Sequence, residues 1–325
     1  MIRPRRALTV VAVAATPVAA CATHLNYVDP SGPRYAGVVA RTTLARDTLK
    51  VVTFNVEFAR HVGAAIRLLQ EDEALRDADV LCLQEMDEAG AQAIADSVGL
   101  NFVYYPSTVH PVSNRDFGNA VLSRYPIEDD RKILMPHRQR FRHTVRSATA
   151  VTIRVGDRRL RVYSIHIATF VGNGPRARRE QLAAVLADAD GYPQVVVAGD
   201  FNSASVPDIA LRRGFIWPTR RLGRTSWLWD MDHVLLKGVA LAGDSAAGMV
   251  RRVHGASDHR PVWARIVLPA ATPSPPTVHP TPPPTGEGTR LPGAGGAAPG
   301  LTSLPAPRGS AGTRWIRACA PCRSG

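Results

Sequence analysis

Cysteine is scarce in this chain. Cys21, Cys82, Cys319 and Cys322 are the only four in 325 residues, so no disulfide framework can hold a central fold together. Cys82 stands in the apolar run Val80-Leu81-Cys82-Leu83 and reads as a small buried hydrophobe. Cys319-Ala-Pro-Cys322 has no second pair and no flanking histidine, which leaves it a weak metal or redox signal. Aromatics make up only 6% of the residues, so any core must be mainly aliphatic. Acids are also in deficit: 27 Asp+Glu face 40 Lys+Arg, for a formal charge of +13. Such a surface favours polyanions such as nucleic acid, anionic lipid or phosphorylated small molecules. Yet only Lys50, Lys132 and Lys237 are lysines, and an arginine-rich genome bias would give the same balance.

No apolar run is long enough to span a bilayer. The run Ala7 to Val18, behind Arg3, Arg5 and Arg6, reads as a cleaved signal. Val18-Ala19-Ala20-Cys21 resembles a bacterial lipobox, which implies cleavage before Cys21 and acylation of its thiol. The expectation is therefore an exported lipoprotein held at a membrane through residues 1–21; an ordinary signal peptide and a secreted protein are the alternative. Residues 22–46 read as a tether and 47–269 as the folded domain. Residues 270–325 form a Pro/Gly/Ala-rich tail that buries too little apolar surface to order itself.

Between 47 and 269 strands and helices alternate. Strands are expected at Leu49–Phe54, Val80–Leu83, Asn101–Tyr105, Asn119–Ser123, Ala148–Val155, Leu160–Ile167, Gln194–Ala198, His233–Leu236 and Pro261–Val267. Helical spacing marks Ala64–Leu75, Ala89–Val98 and a segment opening at Pro175. Many strands with few helices suggest a layered α/β sandwich.

Polar motifs sit at the ends of these strands: Thr53-Phe-Asn55-Val-Glu57, Cys82-Leu-Gln84-Glu85-Met-Asp87, Ser164-Ile-His166, Gly199-Asp200-Phe-Asn202, Met231-Asp232-His233 and Ser257-Asp258-His259-Arg-Pro261. Each alone could be a turn or a helix cap. Together they place acid, amide and imidazole groups where sheet edges build sites. The set suits phosphoester hydrolysis. Glu85 and Asp258 are hard oxygen donors for Mg²⁺ or Mn²⁺. Asp200 can take a proton from water, Asn202 and a charged histidine can hold phosphoryl oxygens, and Asp232 can orient a histidine.

These motifs, with Gly118-Asn-Ala-Val-Leu-Ser-Arg124, resemble the endonuclease/exonuclease/phosphatase superfamily over residues 48–268. The resemblance implies an α/β (α+β) fold: a four-layer sandwich of two face-to-face β-sheets flanked by helices, DNase I-like. It implies Glu85, with Asn55 and Asp258, at a Mg²⁺ or Mn²⁺ site. It implies Asp200, Asn202, His166 and His259 as catalytic groups, with Asp232 orienting one of the two histidines. Asn55, Asn202 and Arg124 are implied at the substrate phosphate. Leu100 to Tyr105 holds no glutamate, where DNase I-like enzymes carry one, which counts against a dedicated DNase I orthologue; the first motif, Thr53-Phe-Asn-Val56, resembles general bacterial members of the superfamily.

Arg138, Arg140, Arg142 and Arg146 stand at even spacing beside His143, either as a phosphate-contacting stripe or as a solvated loop. Arg176, Arg178 and Arg179 open a helix, where cations oppose its dipole. The expectation is a monomeric, exported, Mg²⁺-dependent phosphoesterase acting on nucleic acid or phospholipid and inositol-phosphate head groups. A catalytically weak, anion-binding surface lipoprotein is the alternative.

Overall fold

Strand β2 (Thr48–Asn55) buries both faces, and that sets the layering. Leu49 and Val51 point to one side, Val52 and Phe54 to the other, as a period of two requires. The computed structural model describes residues 25–39, 44–110, 113–227 and 229–270. The lipobox, Cys21, the Cys319/Cys322 pair and the tail beyond 270 lie outside them.

An eight-stranded sheet runs in the order β1 (Tyr35–Gly37), β4 (Asn101–Val109), β5 (Asp116–Ser123), β3 (Val80–Met86), β2, β13 (Val262–Val267), β11 (Ala240–Leu241), with β12 (Ala247–Met249) also on β13. A five-stranded sheet runs β10 (Asp232–Lys237), β9 (Val195–Asp200), β8 (Arg158–His166), β7 (Ser147–Val155), β6 (Ile127–Leu134). Val51, Val80, Cys82 and Val121 of the first sheet meet Val151, Val162, Val196 and Val234 of the second in an aliphatic layer. Helices α1 (Val62–Glu71) and α2 (Glu88–Val98) cover the outer face of the first sheet through Leu68, Leu69 and Ile94. Helices α3 (Pro175–Ala189) and α4 (Asp208–Leu211) cover the second through Leu182, Val185, Leu186 and Ala210. This is the expected four-layer sandwich.

Local chemistry sets the helix ends. Asp87 caps α2 by accepting from Gly90 N at 2.8 Å, and Gly99 closes it at φ 68°. Pro175 opens α3 in its first turn.

Two segments differ from expectation. Residues 25–39 are not a free tether. Tyr35–Gly37 pairs with Phe102–Tyr104, Tyr27 N donates to Ser107 O at 2.9 Å, and Tyr27 Oη donates to Asp116 at 2.7 Å. Strand β6 was hidden because Glu128-Asp-Asp-Arg-Lys132 has low strand propensity; it is an edge strand, where charges guard against further pairing.

Candidate active site

Parallel pairing of β2 with β3, and of β8 with β9, brings four C-terminal strand ends to one edge of the sandwich. Asn55, Glu85, His166 and Asp200 occupy those ends. Strand β10 runs antiparallel to β9 in register Asp232↔Asp200, so it starts at the same edge. His259 arrives just before β13, where Ser257 Oγ donates to Asn55 O at 2.7 Å and accepts from His259 N at 3.0 Å. Beneath, Gln84 Nε2 donates to Ser164 Oγ at 2.9 Å and ties the two sheets together.

Backbone strain aims two of these groups. Glu85 has φ 59° at a bulge where the β3–β5 register slips between Leu83 and Met86. Asn202 has φ 48°, and its N–H donates to Asp200 Oδ1 at 2.7 Å. Only glycine fits at 199, since a Cβ there would lie 2.0 Å from Ile165 O.

The groups converge. Asn55 Nδ2 donates to Glu85 Oε1 at 3.2 Å and to Asp200 Oδ2 at 3.1 Å. His166 Nε2 stands 3.4 Å from Asp200 Oδ2 and 3.8 Å from Glu85 Oε1. His259 Nδ1 donates to Asp232 Oδ2 at 2.7 Å, and its Nε2 faces Asp200 Oδ2 at 3.9 Å. His259 is therefore the histidine that Asp232 orients. Glu85, His166, Asp200, Asn202, Asp258 and His259 line one cavity of about 520 Å³.

Residues 52–259 match the family model described as Endonuclease/Exonuclease/phosphatase family. The chain belongs to this family. It is 28% identical over 257 residues to the uncharacterized protein YbhP of Escherichia coli K12, covering 68% of this chain and 97% of YbhP. In fold it is similar to an endonuclease/exonuclease/phosphatase from Beutenbergia cavernae (TM-score 0.54, 19% identity, 69% of this chain and 72% of that one). It is likewise similar to D. rerio TDP2 complexed with single strand DNA product (TM-score 0.54, 18% identity, 68% and 99%). Family membership implies phosphoester hydrolysis, and enzymes of this family generally use divalent metal ions.

Within the family's cavity the protonation states separate. Burial opposes charge on His259, yet Asp232, Asp200 and Asp258 outweigh it and raise its pKa well above the usual value, so it is an imidazolium. Burial, then Arg146 and the charge on His259, hold His166 well below its usual value. His166 is thus neutral, and because Arg146 Nη1 donates to its Nδ1 at 3.1 Å, its proton sits on Nε2, facing the carboxylates. Burial raises Asp200 to about 7, with Asp232 and Glu85 adding to the rise and His259 opposing it.

A divalent cation fits this donor set. The acids Glu85, Asp200, Asp232 and Asp258 outnumber the cations Arg142, Arg146 and His259 at this site. Asp200, Asp232 and His259 present ligand atoms within 4.8 Å of one another. In that trio Asp232 Oδ2 and His259 Nδ1 are committed to each other, while Asp232 Oδ1 is buried without a hydrogen-bond partner; each Glu85 oxygen accepts one hydrogen bond and keeps a lone pair, and Asp258 is exposed.

Two expected phosphate contacts are not met. Arg124 follows β5, whose Ser123 pairs with Val80 at the opposite end of β3. There Nε donates to Asp79 Oδ1 at 2.9 Å and Nη2 to Ala78 O at 3.1 Å, so Arg124 is a structural clamp outside the cavity. Arg124→Gln is accordingly expected to lower the melting temperature while leaving kcat/KM within about twofold, roughly the cost of one partly exposed ion pair. A hundredfold loss of kcat/KM in a folded variant would restore it to the site. Asn55 also lies behind the wall, its Oδ1 accepting from Glu57 N at 3.1 Å and its Nδ2 bridging the two carboxylates. Through these bonds it positions Glu85 and Asp200.

The buried arginine of the cavity wall is Arg146 and not Arg124. It is buried under Phe117 and bonded to His166, whereas Arg138 and Arg140 are exposed and away from the cavity wall. Even spacing does not put these arginines on one face, because the segment turns at His137 (φ 66°) and His143 (φ 50°). Arg178 of α3 turns inward and donates to Asn202 O at 2.8 Å, fixing the loop that carries the amide.

Sequence reasoning missed the strap over Glu85. Glu57, Phe58 and Ala59 form a left-handed turn at φ 40°, 55° and 49°, and Phe58 N donates to Glu85 Oε2 at 3.1 Å. Arg115 holds it, donating to Phe58 O and Ala59 O and pairing with Asp87 at 2.9 Å. No local motif announces such a turn, since it costs roughly 1–2 kcal/mol per residue and exists only through those tertiary bonds.

Proposed function

We propose that this protein is an exported, Mg²⁺-dependent phosphoesterase acting on nucleic acid or on phospholipid and inositol-phosphate head groups. The observation that carries the reading is the meeting of Asp200, Asn202, His166 and the Asp232–His259 pair with Glu85 in one cavity.

Asp200 is the base: raised to about 7, it is basic enough to accept a proton from an attacking water and acidic enough to be ionised at neutral pH. The His259 imidazolium, locked by Asp232, and the His166 Nε2–H donate to the phosphoryl oxygens as charge grows on them. Glu85 and Asp258 would hold the Mg²⁺, which when bound supplies Lewis-acid charge at the phosphoryl group. Membership of the endonuclease/exonuclease/phosphatase family supports phosphoester chemistry without choosing between lipid and nucleic acid.

Export rests on the signal and lipobox at Cys21, with membrane attachment through its acyl chains. A Cys21 free of any lipid adduct in the mature protein would refute the anchor. The activity is tested by assaying the full chain with Mg²⁺ on plasmid DNA, RNA, phosphatidylglycerol vesicles, inositol phosphates and bis-p-nitrophenyl phosphate. Hydrolysis of at least one ester is expected. Tight binding of phosphate esters with no turnover on any of them would favour the anion-binding lipoprotein instead.

A further inference from the structure

Five large apolar side chains ring the cavity mouth and face solvent. Trp227 is 81% exposed, Phe141 70%, Phe170 60%, Val171 59% and Trp229 55%. Phe141 and Val171 line the cavity wall, as do Ser226 and Met231, which bracket the two tryptophans in sequence. Phe170 meets Trp229 with ring centroids 6.2 Å apart. Three loops, 135–146, 167–174 and 212–231, thus bring their apolar tips to one rim. Scattered exposed hydrophobics are ordinary, but a contiguous patch at a site entrance marks a binding surface.

The loops do not need these side chains for their own order. Arg140 N donates to Gly172 O at 2.9 Å and Asn173 Nδ2 to His137 O at 3.2 Å, which fastens the first loop to the second. Thr225 N and Ser226 N both donate to Trp229 O at 3.0 Å, and Met231 N donates to Thr225 Oγ1 at 2.9 Å, which closes the third on itself. Rigid backbone presents the apolar groups outward. Cations share these loops: Arg142 is exposed and lines the cavity, and Arg138 and Arg140 on the first loop and Arg224 on the third are exposed. Loops 135–146 and 167–174 contain no Asp or Glu at all.

We propose that this rim seats on an anionic phospholipid bilayer, so that the cavity takes its phosphoester from a lipid head group. Tryptophan and phenylalanine beside arginine are the side chains that partition to a bilayer interface, where rings enter the boundary region and guanidinium groups meet lipid phosphates. A base-stacking platform would need ring faces aligned along a groove that tracks a backbone. Here Phe170 and Trp229 are inclined at 53°, Val171 has no ring to stack, and the rim surrounds a cavity. The choice of head group as substrate rests on the phosphoesterase reading; attachment of the rim to a bilayer does not.

The test is flotation of the mature chain, residues 21–325, with vesicles of phosphatidylcholine, with and without phosphatidylglycerol. Every arm carries Cys21→Ala, so that neither the apolar signal run nor acylation contributes. The parent is expected to float with the mixed vesicles and to show blue-shifted tryptophan emission. Trp227→Ser/Trp229→Ser is expected to lower its partition at least about tenfold, since two large apolar side chains no longer leave water. Phe141→Ser/Phe170→Ser, on the other loops, is expected to do the same, and melting curves check that both variants fold. Variants that float like the parent would overturn the proposal. So would a parent that ignores vesicles but binds single-stranded DNA and loses that binding in the tryptophan variant. A parent that floats but hydrolyses none of the phosphate esters assayed above would overturn the phosphoesterase reading alone.

Discussion

Asp200→Ala and His259→Ala are each expected to lower kcat by about a hundred- to ten-thousand-fold, the range seen when a general base or a charge-stabilising donor is removed. In the proposed reaction the two side chains act on one transition state: Asp200 removes the proton that makes water a nucleophile, and His259 meets the charge that the attack creates. Their atoms stand 3.9 Å apart across the cavity, and each shifts the other's protonation. Removing one therefore disables the other, and the double variant is expected to be little worse than either single one. Steady-state rates on one diester substrate check this. Fully multiplicative losses would mean that the groups work independently. Asp232→Asn adds a finer check: it keeps a partner for His259 but removes the negative charge that favours the imidazolium, so kcat should fall while KM holds.

Glu85→Gln is expected to abolish metal binding without unfolding the protein. The amide keeps the shape of the side chain, and its oxygen can still accept from Phe58 N. Burial already raises the pKa of Glu85, so the folded state gives up a desolvated charge when the carboxylate is replaced. The melting temperature of the apo-protein should stay level or rise. A neutral amide, however, cannot hold a hard divalent cation against water. Titration of Mn²⁺ followed by its paramagnetic resonance signal should show binding to the parent and none to the variant. EDTA should silence the parent, and Mg²⁺ should revive it. Equal Mn²⁺ affinity in both proteins would move the metal away from Glu85.

How far the site was legible follows from where each residue's signal resides. Asp200, Asn202, Asp258 and His259 lie in short motifs at strand ends, and parallel pairing carries such ends to one edge. Aliphatic runs in β9 (Val195–Ala198) and β10 (Val234–Leu236) announce themselves because both faces of these strands are buried. Arg124 misled because it follows a strand within a family-like motif, while strand direction, which no local pattern encodes, sends it to the far edge. Arg146 was indistinguishable from its neighbours; what singles it out is burial against Phe117 and His166, a tertiary fact. The segment 25–39 looked like a tether because its short strand is fixed by partners at 102–108 and by Asp116, outside any sequence window.

The central claim is that water attacks phosphorus at Asp200. It is tested most directly by turning over a diester in isotopically labelled water and locating the label by mass spectrometry. The account predicts label in the phosphate-bearing product of the full chain with Mg²⁺, and at least about a hundredfold less product from Asp200→Ala prepared in the same way. Label in the released alcohol, or undiminished turnover by Asp200→Ala, would contradict it.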